Sequence, residues 1–264
     1  MKLDIHHHLV NEPDYLERLV STMDRVGIAR VCLSGIGLHG PTTLGDLSLG
    51  NEDVLRAFER FPDRIIPMAN VRLGRDTRDD VRTWLARGFM GIKTTRPLKD
   101  YDEPAFDAIY ALLEERNIPI LFHTGIVLRS HDDPVEDVSS DRMRPIKLDR
   151  IARKFPNLII IMAHLGVPWH DEAAMLLRIH PNMYADLTGA PGGWLEQIDA
   201  PRLRQFFYSR GAVQKLVFGT DVHWRDVDWS IKTQEGILKG LDVTADDSAR
   251  FWGGTAERWW KGTV

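Results

Sequence analysis

The chain opens on Asp4-Ile5-His6-His7-His8, which sets two histidines two residues apart. Alternate side chains of a strand share a face, so His6 and His8 point one way and His7 the other. If Leu3 and Ile5 face covering helices, His6 and His8 face inward, where two imidazoles can chelate one cation. Three later apolar runs end in groups of the same kind, at His123, His164 and Asp221. His123 and Asp221 could complete a set of three nitrogen ligands and one carboxylate. Such a set suits zinc, with manganese, iron or cobalt as alternatives, and leaves a position for water or a substrate oxygen. Each signal alone is weak. A His-x-His pair often lies on a surface strand, three consecutive histidines can be a tag remnant, and a lone histidine such as His123 is commonly a hydrogen-bonded core residue. These bland readings lose weight because four separate apolar runs all end in His or Asp.

The elements that must bring these ends together alternate in type. Tyr15 to Val26 carries Leu16, Leu19, Val20, Met23 and Val26 at helical spacing, and Gly27 is placed to end that helix. Strands are expected at Leu3–His6, Arg30–Ser34, Ile65–Val71, Phe89–Thr94, Ile118–His123, Leu158–His164, Met183–Leu187 and Leu216–Asp221. Helical spacing falls between them at Glu52–Arg60, Thr77–Arg87, Glu103–Arg116, Ile146–Phe155, Ala173–Ile179 and Leu203–Tyr208, and a terminal helix follows Asp242. Near-continuous apolar strands are buried on both faces, as in a parallel sheet covered by helices. Eight such units predict an α/β fold, a closed (β/α)8 TIM barrel, as a single domain over residues 1–264. An open doubly wound sheet is the rival, but no Gly-rich phosphate loop follows the first strand. In a barrel the C-terminal strand ends form the active-site face.

Composition excludes several other roles. The 264 residues carry a net charge of −4, so nucleic-acid binding through a basic surface is not expected. The longest apolar runs fall far short of the roughly 20 residues needed to span a bilayer. One cysteine, Cys32, excludes an internal disulfide framework and fits a reducing compartment. No secretory signal is visible at the N-terminus. The expectation is a cytoplasmic protein acting on a small molecule, with no nucleic-acid or membrane partner and with self-association left open.

The ordered motifs resemble those of the amidohydrolase superfamily, in the amidohydrolase-related branch that includes aminocarboxymuconate-semialdehyde decarboxylase. They are Asp4-Ile5-His6-His7-His8, Gly91-Ile92-Lys93, Phe122-His123-Thr124-Gly125, Ala163-His164-Leu165-Gly166, Tyr184-Ala185-Asp186-Leu187 and Phe218-Gly219-Thr220-Asp221, followed by Phe251-Trp252-Gly253-Gly254-Thr255-Ala256. The resemblance implies a divalent metal, most readily zinc, held by His6, His8, His123 and Asp221. It implies catalytic roles for Asp221, which would touch both metal and water, and for His164, as an acid, base, substrate polariser or ligand of a second ion. Lys93 stands near the position where two-metal relatives use a carboxylated lysine, so a second ion stays open. The activity implied is hydrolysis of a small amide, ester or lactone, with decarboxylation of an unsaturated or aromatic acid as the alternative.

Substrate contacts are expected from the longer loops. Arg129, Arg142 and Arg144 could each hold a carboxylate through paired hydrogen bonds, or could pair with loop acids such as Asp132, Asp133, Glu136 and Asp137. Arg96 shares that ambiguity. His223 and Trp224 stand just past Asp221, while Trp169 and Trp194 could wall a pocket or pack beneath loops. His39, His131, His170 and His180 read mostly as solvated residues. Asp186 could face the pocket or cap the next loop, and Asp4 is expected on the His6/His8 side, deeper in the barrel.

Overall fold

The computed structural model describes residues 1–35, 49–129 and 133–260. Eight parallel strands run in sequential order: β1 (Lys2–Leu9), β2 (Ile28–Gly35), β3 (Ile65–Val71), β4 (Gly91–Thr94), β5 (Ile120–Phe122), β6 (Ile160–Met162), β7 (Met183–Asp186) and β8 (Leu216–Val217). The ring closes through backbone bonds from the β8 end to β1, including Ile5 N to the Phe218 carbonyl at 3.0 Å and Asp221 N to the His6 carbonyl at 2.7 Å. Helices alternate with the strands, so the fold is a (β/α)8 barrel in one domain. Among the described residues no helix is long and apolar enough to cross a membrane.

Two apolar clusters explain why these runs become strands. Leu3, Ile5, Cys32, Ile66, Met68, Leu121, Ile161 and Val217 fill the barrel interior, and Trp260 plugs its base with Nε1 donating to the Met90 carbonyl. The alternate residues, such as Val31, Leu33, Ile92 and Phe122, pack outward against the helices. Trp259 and Trp260 therefore close the barrel bottom. Local signals set the helix ends. Gly27, at φ 76°, closes α1 (Tyr15–Val26). Thr77 and Asp80 exchange capping bonds at the start of the helix Arg78–Ala86.

Other boundaries differ. Leu3 and Ile5 face the barrel interior, not the helices. His6 and His8 still face inward, because three steps along β1 (Asp4 to His7) oppose two along β2 (Val31 to Leu33). That β-bulge inserts one residue and lets Ile5 and His6 share a face. Asp4 consequently lies on the outer side with His7. Strands β5, β6 and β8 stop before His123, His164 and Asp221, which sit on the following turns. A long helix, Val227–Gly240, follows β8 where none was expected, and the segment after Asp242 breaks into three short helical turns. His180 is buried against Asp149, and His170 packs between Trp194 and Phe206, so neither is a solvated residue. His39 and His131 lie outside the described residues.

Candidate metal centre and active site

A cavity of about 550 Å³ opens at the C-terminal strand ends, and His6, His8, Lys93, His123, His164 and Asp221 all line it. One ligand atom from each of His6, His8 and Asp221 lies within 4.8 Å of the other two. Asp221 Oδ1 is 3.2 Å from His8 Nε2 and 3.6 Å from His6 Nε2. Its other oxygen, Oδ2, is 3.6 Å from His164 Nε2. His123 stands outside this trio, with Nδ1 3.3 Å from His164 Nε2. Its Nε2 is buried and has no hydrogen-bond partner among the described residues.

The protons can be placed from the partners. Asp186 Oδ2 accepts from His6 Nδ1 at 2.8 Å, which leaves the His6 Nε2 lone pair facing the cavity. Lys93 Nζ, 2.9 Å away, donates to that lone pair. Ser34 Oγ, 3.0 Å from His8 Nδ1, can accept its proton and free His8 Nε2 in the same way. Thr188 Oγ1 donates to Asp186 Oδ1, so it accepts from His164 Nδ1 at 2.7 Å, and His164 Nε2 is bare. In that tautomer His164 accepts and cannot donate. Polarising a substrate carbonyl would require the protonated ring, and burial opposes this by holding its pKa down at about 4.

Burial dominates the other ionisations as well. It lowers His6, His8 and His123 well below the ordinary imidazole value, which keeps them in the neutral form that binds metals. It pushes the Asp221 carboxyl up to about 7, against the opposing pull of the Lys93 ammonium. The Lys93 ammonium is itself lowered to about 8 by burial. The inward-facing Nε2 lone pairs of His6 and His8, a crowded carboxylate and the His123 Nε2, which lacks a partner among the described residues, fit a divalent cation.

Family membership follows from the whole chain rather than from the site alone. The amidohydrolase family model matches residues 3–262. The chain belongs to the amidohydrolase family. No curated protein sequence matches it. This amidohydrolase is similar in fold to a TIM-barrel protein from Bordetella bronchiseptica at 19% identity, covering 98% of each chain with a TM-score of 0.71. It is also similar to a probable 2-pyrone-4,6-dicarboxylic acid hydrolase from Acinetobacter baumannii, at 15% identity over 98% of this chain and 99% of that one, TM-score 0.69. A third likeness is to 5-carboxyvanillate decarboxylase from Sphingomonas paucimobilis, at 13% identity over 98% of both chains, TM-score 0.66. The family and these neighbours include hydrolases and decarboxylases.

The expected substrate contacts are only partly brought to the cavity. His223 lines it, with Nε2 2.8 Å from Glu12. Trp224 does not, since it packs between the guanidinium groups of Arg18 and Arg225. Arg129 is exposed and is not among the lining residues. Arg142 pairs with Asp137, and Arg144 pairs with Glu172. Arg96 does line the cavity, held by Asp133 and the Leu128 carbonyl. Trp194 forms one wall.

Sequence reasoning left Asp186, Thr188 and Ser34 outside the site. Asp186 is buried and accepts from four donors: His6 Nδ1, His164 N, Thr188 N and Thr188 Oγ1. It therefore fixes two of the histidines at once. A metal-binding histidine normally needs such a partner for its other nitrogen, and this was the available signal. Asp186→Asn is expected to weaken zinc binding by roughly 10–100-fold, because an amide nitrogen would confront donors on all sides. Titration of the purified variant against a zinc chelator checks this, and an unchanged affinity would remove Asp186 from the account.

Proposed function

We propose that this amidohydrolase is a metal-dependent hydrolase of a small amide, ester or lactone bearing a carboxylate. The observation that carries the reading is the split environment of Asp221. One oxygen sits with His6 and His8, and the other faces His164. A carboxylate placed in this way can hold a cation and take a proton in the same site. His6, His8 and Asp221, joined by His123, would hold one divalent ion, with zinc the best match to the donors. When bound, it supplies Lewis-acid polarisation of water and of the substrate's carbonyl oxygen.

The chain's own groups complete the chemistry. Asp221 Oδ2 accepts the proton of the attacking water and returns it to the leaving nitrogen or oxygen. His164 Nε2, kept bare by Thr188, accepts the water's second hydrogen bond and orients it. Lys93, now bonded to His6 Nε2, would stand as a buried positive charge beside the developing negative charge once a cation was held there, and its role as a carboxylated ligand of a second ion stays open. Arg96, His223 and the apolar wall of Val127, Val167 and Trp194 shape the substrate space. Arg129 and Trp224 would reach a substrate only from outside the cavity lining. Cys32 is buried and unpaired, which suits a reducing compartment, and the reading places the enzyme in the cytoplasm.

Decarboxylation has its own supporting observation. Asp221 Oδ2, which faces His164 rather than His6 and His8, lies where it can pass a proton to the carbanion left when carbon dioxide departs. Products separate the two readings. Zinc-loaded protein is incubated in ¹⁸O-labelled water with a panel of lactones, amides, esters and aromatic acids. Hydrolysis places one labelled oxygen in the acid product. Release of carbon dioxide without label uptake would overturn the hydrolase reading in favour of the second.

A further inference from the structure

Between the two histidines that face the cavity stands a third that the chemistry above does not use. His7 is fully buried and faces away from the cavity, beside Asp4. Its two nitrogens lie on a hydrogen-bond chain whose direction is fixed at one end. Thr220 Oγ1 donates to Asp4 Oδ2 at 2.6 Å, and Thr220 N donates to Asp4 Oδ1 at 3.0 Å. With its only proton spent, Thr220 Oγ1 must accept from His7 Nδ1, 2.7 Å away. His7 Nε2 then accepts from the Tyr15 hydroxyl at 2.9 Å, which also reaches the His8 carbonyl at 3.2 Å, and the Tyr15 ring packs edge-on against His223 with centroids 5.3 Å apart.

These contacts therefore hold the polypeptide on both sides of Asp221. Thr220 is one residue before it and His223 two after. Such a hold matters at Asp221, whose φ of 46° is left-handed. That region is unfavourable for a residue with a Cβ, though less so for Asp than for most. The bond from Asp221 N to the His6 carbonyl fixes the backbone height on β1, and the Thr220 bond and the His223 ring contact hold the loop as it leaves.

We propose that His7 is a positioning residue, which holds the Asp221 loop in place through Thr220 and Tyr15. Its importance for metal binding rests on the reading of Asp221 as a ligand, whereas its grip on the loop does not. A side chain that merely filled space would be replaceable by another ring. His7→Phe keeps an aromatic ring and removes both bonds, and His7→Asn keeps a donor at the Nδ1 position for Thr220.

Two readouts on the purified full-length protein test this. The first is hydrogen exchange of metal-free protein over residues 218–224. His7→Phe should speed exchange there at least about tenfold, with His7→Asn restoring much of the protection. The second is zinc affinity by chelator competition, which should fall roughly 10–100-fold in His7→Phe, as for partners that orient ligands, and recover in part in His7→Asn. Unchanged exchange in a folded His7→Phe protein overturns the proposal, and so does faster exchange that His7→Asn leaves unrescued. If His7→Phe fails to fold, Thr220→Val takes its place under the same two readouts, with Thr220→Ser as the rescue. If exchange responds as expected while the wild-type protein binds no zinc, the grip stands and the metal reading falls.

Discussion

Asp221→Asn is expected to lower kcat/KM by two to four orders of magnitude, the range typical of losing a positioned proton acceptor. The amide cannot take a proton from water, and its nitrogen would turn donors towards His8 Nε2 or His164 Nε2. The fold should persist, and stability gives an independent check. In the metal-free protein, burial holds the Asp221 carboxyl at about 7, above its ordinary 3.8. A carboxyl raised in this way destabilises the fold when ionised. That cost is fully present above about pH 7, shrinks as pH falls, and is gone below the unfolded value of about 3.9. Metal-free Asp221→Asn should therefore melt at a higher temperature than metal-free wild type at pH 8, with the gap closing towards pH 4. A variant that is both near wild-type in rate and unchanged in melting would show that Asp221 is neither buried as described nor the base.

His6→Ala carries the second large effect. Removing this ring deletes one of three converging ligands and one of the four donors to Asp186. It also leaves the Lys93 ammonium, now without its acceptor, next to the cation site. Zinc affinity is expected to fall by more than about 100-fold, beyond the loss assigned to an orienting partner, and activity should fall with it. Cobalt-substituted protein offers a direct view, since its visible spectrum reports the ligand set, and His6→Ala should abolish the wild-type bands. Wild-type bands in the variant would mean that the metal sits elsewhere.

The sequence disclosed the barrel because alternation of apolar strands with helical spacing recurs along its length. It disclosed the strand-end histidines because imidazoles at the ends of apolar runs are unusual enough to notice. What stayed hidden has physical causes. A two-residue period cannot reveal an inserted residue, so the β1 bulge, and with it the true facing of Leu3, Ile5 and Asp4, was invisible. The helix Val227–Gly240 buries Ser230 and Gln234 alongside Ile231, Ile237 and Leu238, which blurs its apolar stripe. Asp186, Thr188 and Ser34 act through single hydrogen bonds to ring nitrogens, and no spacing rule encodes such bonds. Arg129 was placed by its long loop and Trp224 by nearness to Asp221, yet one is exposed and the other leans on two arginines.

Every functional step above depends on His6, His8 and Asp221 converging on one divalent cation. The most direct measurement is a crystal structure of protein supplied with zinc and never exposed to chelators, with anomalous diffraction at the zinc edge and elemental analysis of the same sample. The account predicts one dominant anomalous peak, bonded to His6 Nε2, His8 Nε2 and an Asp221 oxygen. No peak there, with Lys93 Nζ still hydrogen-bonded to His6 Nε2, would contradict it.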